Sequence, residues 1–379
     1  MTNQYPVVLV HGLFGYGPKE MLGFDYWGQA IQVDSPLQRF EASLGPISSS
    51  HDRACELYAQ IKGVQVDYGE DHARVAEHNR YGNDFTGKGF YPQWSEQNPI
   101  HLVGHSLGGP TMRMLQYLLE KKFWGPGTNA NWIRSISGIS PVFNGSTLAY
   151  FLGCNEQTGM VSGPIGNFLA KTLEIIAGAI GSNLERLYDF DLGQWGLVRQ
   201  SSETLTEYLG RIGNSPLFKG KDNAAYDLTL QAMLTQNQLI ATFPGTHYFS
   251  YVTEQTHALP FSHHYWPDTG MNPMLYGCSA YMGMRPFGAP FYAGFNGDDW
   301  RENDGAVSSY SQMYPRIAGN HPVAGEFTDA SGGFEPGKWY WQYLHDRDHL
   351  DVVMLPEPWQ VPWQKMFYSN LFQRLAALR

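Results

Sequence analysis

Leu102-Val103-Gly104-His105-Ser106-Leu107-Gly108-Gly109 is a short apolar approach running into a Gly-x-Ser-x-Gly turn, and a helical pattern begins immediately after it. A serine held on a strained strand-to-helix turn needs small residues two positions before and two after it, because the chain folds too tightly there for side chains. The pattern predicts a strand over 100–103 and a helix over about 111–120, where Met112, Leu115, Leu118 and Leu119 recur at helical spacing. In that context the motif reads as a nucleophile elbow; without it, a glycine-rich turn with a surface serine is the ordinary reading.

Residues 6–17, Pro-Val-Val-Leu-Val-His11-Gly12-Leu13-Phe14-Gly15-Tyr16-Gly17, form an apolar strand that ends in His-Gly. In serine hydrolases built on a parallel sheet, one oxyanion donor is the N–H after the nucleophile and the other comes from a loop after an early strand. Here those are the backbone N–H groups of Leu107 and Leu13. The implied fold class is the α/β-hydrolase fold, a mostly parallel central sheet flanked by helices.

The chain has 379 residues, a formal net charge of −10 and no run of five basic residues, which argues against nucleic acid or an anionic membrane as main partner. No Pro/Ser/Gly-rich linker, repeat or low-complexity stretch divides it, so residues 1–379 are read as one catalytic domain with insertions. Cys55, Cys154 and Cys278 are too few and too far apart for a disulfide framework or a cysteine-type zinc motif. The apolar strand opens at about Tyr5, which leaves no room for a cleavable signal segment; the expectation is a protein made without export, or a mature form carrying an added Met1. No stretch of 18 uncharged apolar residues exists, since Lys171 and Glu174 break the most apolar region at 163–181, so transmembrane anchoring is not expected.

A serine nucleophile needs a general base, and the base an orienting carboxylate, in the chain order Ser, Asp or Glu, His for this fold. Two loops in the last third offer them: Trp300-Arg-Glu-Asn-Asp304-Gly305 and Asp346-Arg-Asp-His349-Leu-Asp351. Asp304 and His349 are assigned by position; His345 competes with His349, and Asp298, Asp299 and Asp329 compete with Asp304. Alanine at Ser106, Asp304 or His349 is expected to remove turnover and leave the fold intact.

Residues 50–82 are dense in oxygen and imidazole donors. His72 and His78 lie six residues apart, about 240° around a helix, so they could share a metal only if the helix ends or bends between them. From spacing alone, solvated helix histidines are the simpler reading.

The chain resembles the staphylococcal and thermophilic-bacillus true lipases, zinc-containing α/β-hydrolases, in runs spread along nearly its whole length. These include Val10-His-Gly-Leu-Phe-Gly15, Gly23-Phe-Asp-Tyr-Trp-Gly28, Gly45-Pro-Ile-Ser-Ser49, Asp52 through Gln60, Val66-Asp-Tyr-Gly69, Tyr188 through Leu197, Tyr226-Asp-Leu228, Gly270-Met-Asn272, Glu302-Asn-Asp-Gly305 and Asp348-His-Leu350. The resemblance favours Ser106, Asp304 and His349 over their competitors. It also implies a zinc ion held by Asp52, His72, His78 and Asp222, and four protein ligands leave no open position for a catalytic water, so its role would be structural. A calcium site near the catalytic histidine is implied by Gly270 and Asp351, but Pro356 stands where the family has an aspartate, leaving Glu357 as substitute. The elbow departs as well, with Gly104-His-Ser106-Leu107-Gly where the family commonly has Ala-His-Ser-Gln-Gly; only the N–H at 107 is needed. The family is secreted, so the resemblance implies secretion for a chain that shows no signal segment.

The expected organisation is a zinc-bearing insertion at about 45–95 and a cap at about 150–265. The expected activity is hydrolysis of medium or long acyl esters, triacylglycerols above all, at an oil–water interface. The rivals are an esterase or polyester hydrolase for soluble substrates, a non-catalytic hydrolase-fold binding protein, and zinc-dependent hydrolysis. Leu169, Leu173, Ile176 and Ile180 repeat at helical spacing and are read, with the resemblance, as the apolar face of a mobile lid. If an interface stabilises an open lid, activity rises when substrate passes its solubility limit and drops when Leu173 or Ile176 becomes Asp. A hyperbolic rate curve through that limit, unchanged by detergent, would show a fixed cap instead.

Overall fold

The computed structural model describes residues 2–18, 25–28, 31–161, 190–285, 295–316, 320–353 and 359–378. In chain order the strands are β1 (Val7–Val10), β2 (Arg39–Glu41), β3 (Gln65–Asp67), β4 (Tyr81–Asp84), β5 (Ile100–His105), β6 (Ile133–Ile139), β7 (His247–Glu254), β8 (Thr256–Ala258), β9 (Tyr265–Pro267), β10 (Val323–Glu326) and β11 (Trp339–His345). Seven of them form one sheet in the order β10-β11-β7-β6-β5-β1-β2, with every neighbouring pair parallel. The pairs β3/β4 and β8/β9 are separate antiparallel hairpins.

A parallel sheet must be covered on both faces, and the side-chain alternation divides the core accordingly. Val7, Leu9, Val103, Ile139 and Phe249 share one cluster with Phe367, Leu371 and Phe372 of the terminal helix Val361–Ala377. Val8, Val10, Leu102, Ile136 and Tyr248 share the other with helices α1 (Ser50–Lys62) and α3 (Gly108–Glu120), which contribute Leu57, Ile61, Met112, Leu115 and Leu119. A short helix, α2 (Glu70–Ala76), lies between β3 and β4 in the chain.

The connection order places the crevice. From β1 the chain passes to β2 at the sheet edge and then returns to β5 on the other side of β1. Loops leaving β1 and β5 therefore diverge, and at such a switch point a cleft opens at the carboxyl ends of the strands. The loop 11–15 and the turn at Ser106 are the segments that leave those two ends.

Several expectations shift. Strand β5 runs on to His105 rather than stopping at Val103, and α3 starts at Gly108 rather than about Thr111, because the glycines of the turn are themselves the first helical residues. The first strand begins at Val7. Strand β7 falls inside the interval 150–265 expected as a cap, yet it sits in the middle of the sheet between β6 and β11. Among the described residues no helix is long and apolar enough to cross a membrane. Cys55, Cys154 and Cys278 are all buried, and none forms a disulfide.

Candidate active site and metal centre

Ser106 has a φ of +55° in a non-glycine residue, the strained turn its motif demands. The flanking glycines are required by contact. A Cβ on Gly104 would lie 2.9 Å from the Gly108 backbone, and one on Gly108 would lie 2.3 Å from the Val10 carbonyl. The loop 11–15 packs directly on the Ser106 turn, since a Cβ on Gly12 would come within 2.7 Å of Ser106 Cβ. Buried Arg53 on α1 pins this loop from behind, donating to the carbonyls of His11 and Gly45 and to Thr111 Oγ1. The N–H groups of Leu13 and Leu107 have no protein acceptor among the described residues. Backbone donors left unmatched beside a serine are available to an incoming oxyanion.

His349 Nδ1 lies 2.8 Å from Asp304 Oδ2, and His349 N donates to the Asp304 carbonyl at 2.9 Å. Asp304 is fully buried and accepts from every side. The N–H groups of Ala306 and Val307 reach Oδ1 at 2.9 and 2.7 Å, while Thr253 Oγ1 and Gln312 Nε2 reach Oδ2 at 2.7 and 3.1 Å. Only a carboxylate offers acceptors alone on both oxygens, so the site demands Asp rather than Asn. The competitors are engaged elsewhere. His345 pairs with Glu254 at 2.7 Å, Asp298 with Arg301 at 3.0 Å, and Asp329 with Arg374 at 3.3 Å. Asp299 lies in the short 3-10 turn Gly297–Trp300.

The His105 ring lies 4.5 Å from that of His349, which brings the His349 loop to the Ser106 turn. Ser106 Oγ makes no hydrogen bond to His349 among the described residues. Catalytic hydrogen bonds are often long or misaligned without substrate and tighten when it binds.

Asp52, His72, His78 and Asp222 converge as well. Helix α2 stops at Ala76 and Glu77 turns left-handed with φ +65°, so His72 and His78 leave the helical register between them and face one point. His72 Nε2 lies 3.1 Å from Asp52 Oδ1 and 3.3 Å from Asp222 Oδ1; His78 Nε2 lies 3.6 Å from Asp52 Oδ2 and 3.3 Å from Asp222 Oδ2. A tetrahedral site with bonds of about 2.0–2.1 Å has donor–donor edges of about 3.3–3.4 Å. Buried His78 Nε2 and Asp222 Oδ2 have no hydrogen-bond partner despite their closeness. His78 Nδ1 donates to the Asn79 carbonyl at 2.8 Å, which leaves the Nε2 lone pair aimed inward. These four residues can hold a metal ion.

Without one, the charges must be met by protons. Burial alone would lower His72, but Asp222 and Asp52 hold it up to about 10. His51 stacks on the His72 ring at 3.7 Å and is anchored through Nε2 to the Tyr68 carbonyl; burial and then His72 lower its pKa. A cleft of about 550 Å³ lined by Val75, Trp195, Lys219 and Lys221 reaches the outer edges of His72 and Asp222.

Of the calcium positions, Glu357 and Pro356 lie outside the described residues, as do the lid positions Leu169, Leu173, Ile176 and Ile180. Asn272 N donates to Asp348 Oδ2 at 2.6 Å, which lays the turn containing Gly270 beside the 348–351 loop. Burial, and then the charge of Asp348, pushes buried Asp351 up to about 7.

Sequence reasoning gave no role to Thr253, Gln312, Tyr26 or His105. The first two lie on distant segments and carry no local signal; Tyr26 and His105 stand inside quoted motifs, which was the available signal.

An all-parallel sheet with a serine elbow at its switch point, an Asp–His pair beside it and free backbone donors defines the α/β-hydrolase class. The family model described as "Lipase-like, C-terminal domain" matches residues 3–359, and the chain belongs to that family. It is 33% identical over 378 residues to Lipase 1 of Staphylococcus aureus, covering 93% of this chain and 51% of that protein. The chain thus spans about half the length of the curated relatives it matches. Among solved structures it is similar to EstA from Clostridium botulinum, with 32% identity, a TM-score of 0.84 and coverage of 99% of this chain and 88% of that one. Lipase 1 from Pelosinus fermentans gives 32% identity, a TM-score of 0.77 and coverage of 98% and 99%.

Proposed function

We propose that this chain is a serine carboxylic-ester hydrolase, acting on medium or long acyl esters and on triacylglycerols above all. The observation that carries the reading is the buried Asp304–His349 pair brought to a strained Ser106 turn whose flanking N–H groups lack acceptors. Relatives named as lipases support the substrate class. Ser106 Oγ attacks the ester carbonyl carbon while His349 Nε2 takes its proton, and Asp304 holds the imidazole in the needed tautomer. The N–H groups of Leu13 and Leu107 face the developing oxyanion. The C–O bond then breaks, the alcohol leaves with the proton from His349, and water hydrolyses the acyl-Ser106 through the same base.

A p-nitrophenyl ester series from acetate to palmitate, with Ser106→Ala as control, tests the assignment. Rates that peak at eight carbons or beyond support the lipase reading. A peak at acetate or butyrate, with no activity on emulsified triolein, favours the soluble-ester esterase.

For the metal centre the proposed occupant is zinc, because two Asp and two His at tetrahedral spacing suit that ion. It would tie α1, the segment after α2 and the Asp222 loop together, without a part in the chemistry. For the 348–351 loop the proposed occupant is calcium. Asp351 is raised above its unfolded value, so the stability it contributes is present below about 4 and lost as pH rises through about 7. A bound cation would relieve that loss, so millimolar calcium should raise the melting temperature at pH 8 and have no effect at pH 5. Equal shifts at both pH values would contradict the site.

A further inference from the structure

The three loops that meet at Ser106 come from chain segments far apart, and one line of buried hydrogen bonds crosses all three. Gly12 N donates to Tyr26 Oη at 2.9 Å, Tyr26 Oη lies 2.6 Å from His105 Nδ1, and His105 Nε2 lies 3.0 Å from the His349 carbonyl. Tyr26 and His105 are each 2% exposed. Chemistry fixes every direction in this line. A backbone N–H can only donate, so Tyr26 oxygen accepts from Gly12 and its own proton is free for His105. A carbonyl can only accept, so His105 Nε2 carries the proton and Nδ1 receives the one from Tyr26.

We infer that Tyr26 and His105 are positioning residues for the proposed reaction, a relay that sets the oxyanion loop and the His349 loop in register with the nucleophile. The inference rests on the ester-hydrolase reading. Gly12 precedes Leu13, whose N–H is one oxyanion donor, and the His349 carbonyl belongs to the base itself. His105 adjoins Ser106. The relay thus touches all three parts of the machinery within one residue of the reacting groups. The Tyr26 ring is held edge-on by Tyr16 and Trp27, so its hydroxyl has little freedom. Burial, reinforced by the neighbouring His349, keeps His105 neutral, as the relay requires.

Misplacement of reacting groups by about 1 Å costs on the order of a hundredfold in rate. Tyr26→Phe removes the central hydroxyl at nearly constant volume, and His105→Leu removes both ring nitrogens. Each should lower kcat roughly ten- to a hundredfold and leave KM within about threefold. His105→Gln retains a terminal amide N–H that can reach the His349 carbonyl, and should recover most of the kcat lost in His105→Leu. In the wild type, ¹⁵N NMR of the imidazoles should show His105 as the neutral Nε2–H tautomer from pH 6 to 8.

Should His105→Leu fail to fold, Tyr26→Phe and the NMR measurement still decide. Wild-type kcat in Tyr26→Phe, or an Nδ1–H tautomer or imidazolium at His105, would overturn the relay. A fluorophosphonate separates the two levels of the argument. Wild-type protein that labels fully at Ser106, together with undiminished turnover in Tyr26→Phe, overturns the relay alone; wild-type protein that does not label overturns the hydrolase reading on which it rests.

Discussion

Ser106→Ala is expected to lower turnover of an activated ester by about 10⁴- to 10⁶-fold, and His349→Ala by a similar factor, with little change in melting temperature. Residues that act as one unit are not additive, so the double variant should be scarcely worse than either single one. Asp304 differs. The sequence alone led to the expectation that Asp304→Ala leaves the fold intact, but five donors converge on this carboxylate. Each buried donor left without an acceptor costs about 1–3 kcal/mol unless water replaces the carboxylate. Asp304→Ala should therefore lose several degrees of melting temperature in addition to turnover. Asp304→Asn is no remedy, because one of its two positions would present an amide donor to other donors. Steady-state kinetics paired with thermal denaturation of the five variants checks all of this. Substantial turnover by purified Ser106→Ala would refute the assignment.

With zinc held at the proposed site, stripping it with a chelator is expected to lower the melting temperature by about 10 °C, with activity lost only as the protein unfolds. A ligand present at 1,000 times its Kd and bound by the native state alone contributes about 4 kcal/mol, and each kcal/mol shifts a large domain by roughly 2–4 °C. The cleft beside His72 and Asp222 gives a chelator access. The pH dependence has a definite sign. In metal-free protein His72 is held up to about 10, so at neutral pH a metal must expel its proton, and affinity rises with pH. The stability that protonated His72 gives the metal-free protein is fully present below about 6.5 and lost as pH rises through about 10. This single proton linkage widens the gap between loaded and stripped protein from pH 6 to pH 9. His78→Ala should reproduce the stripped state. Less than about a tenth of an equivalent of zinc in stable, active protein purified without added metal would contradict the zinc assignment.

What was legible in the sequence was what local geometry dictates. The elbow could be read because strand, turn and helix are contiguous and the glycine spacing has one steric cause, the approach of residues 104, 108 and Val10. Strand β1 was legible from four consecutive apolar residues. His72 and His78 were harder, since their convergence depends on Glu77 taking a left-handed turn that no residue type announces. Resemblance supplied that pair, and Asp222 with it. The supports of Asp304 were beyond reach, because Thr253 and Gln312 meet it only after β7 takes its place in the sheet. β7 itself was absorbed into the expected cap. Its sequence, His-Tyr-Phe-Ser-Tyr-Val-Thr-Glu, is buried on both faces and lacks the apolar alternation that marks a one-sided strand.

The most direct test of the central claim is to trap the acyl-enzyme. Protein mixed with p-nitrophenyl butyrate and quenched in acid within the burst phase should carry up to one butyryl group per chain, mapped by peptide mass spectrometry to Ser106 and absent from Ser106→Ala. Full steady-state turnover with no acyl adduct, or an adduct on another residue that forms and decays at the turnover rate, would contradict the account.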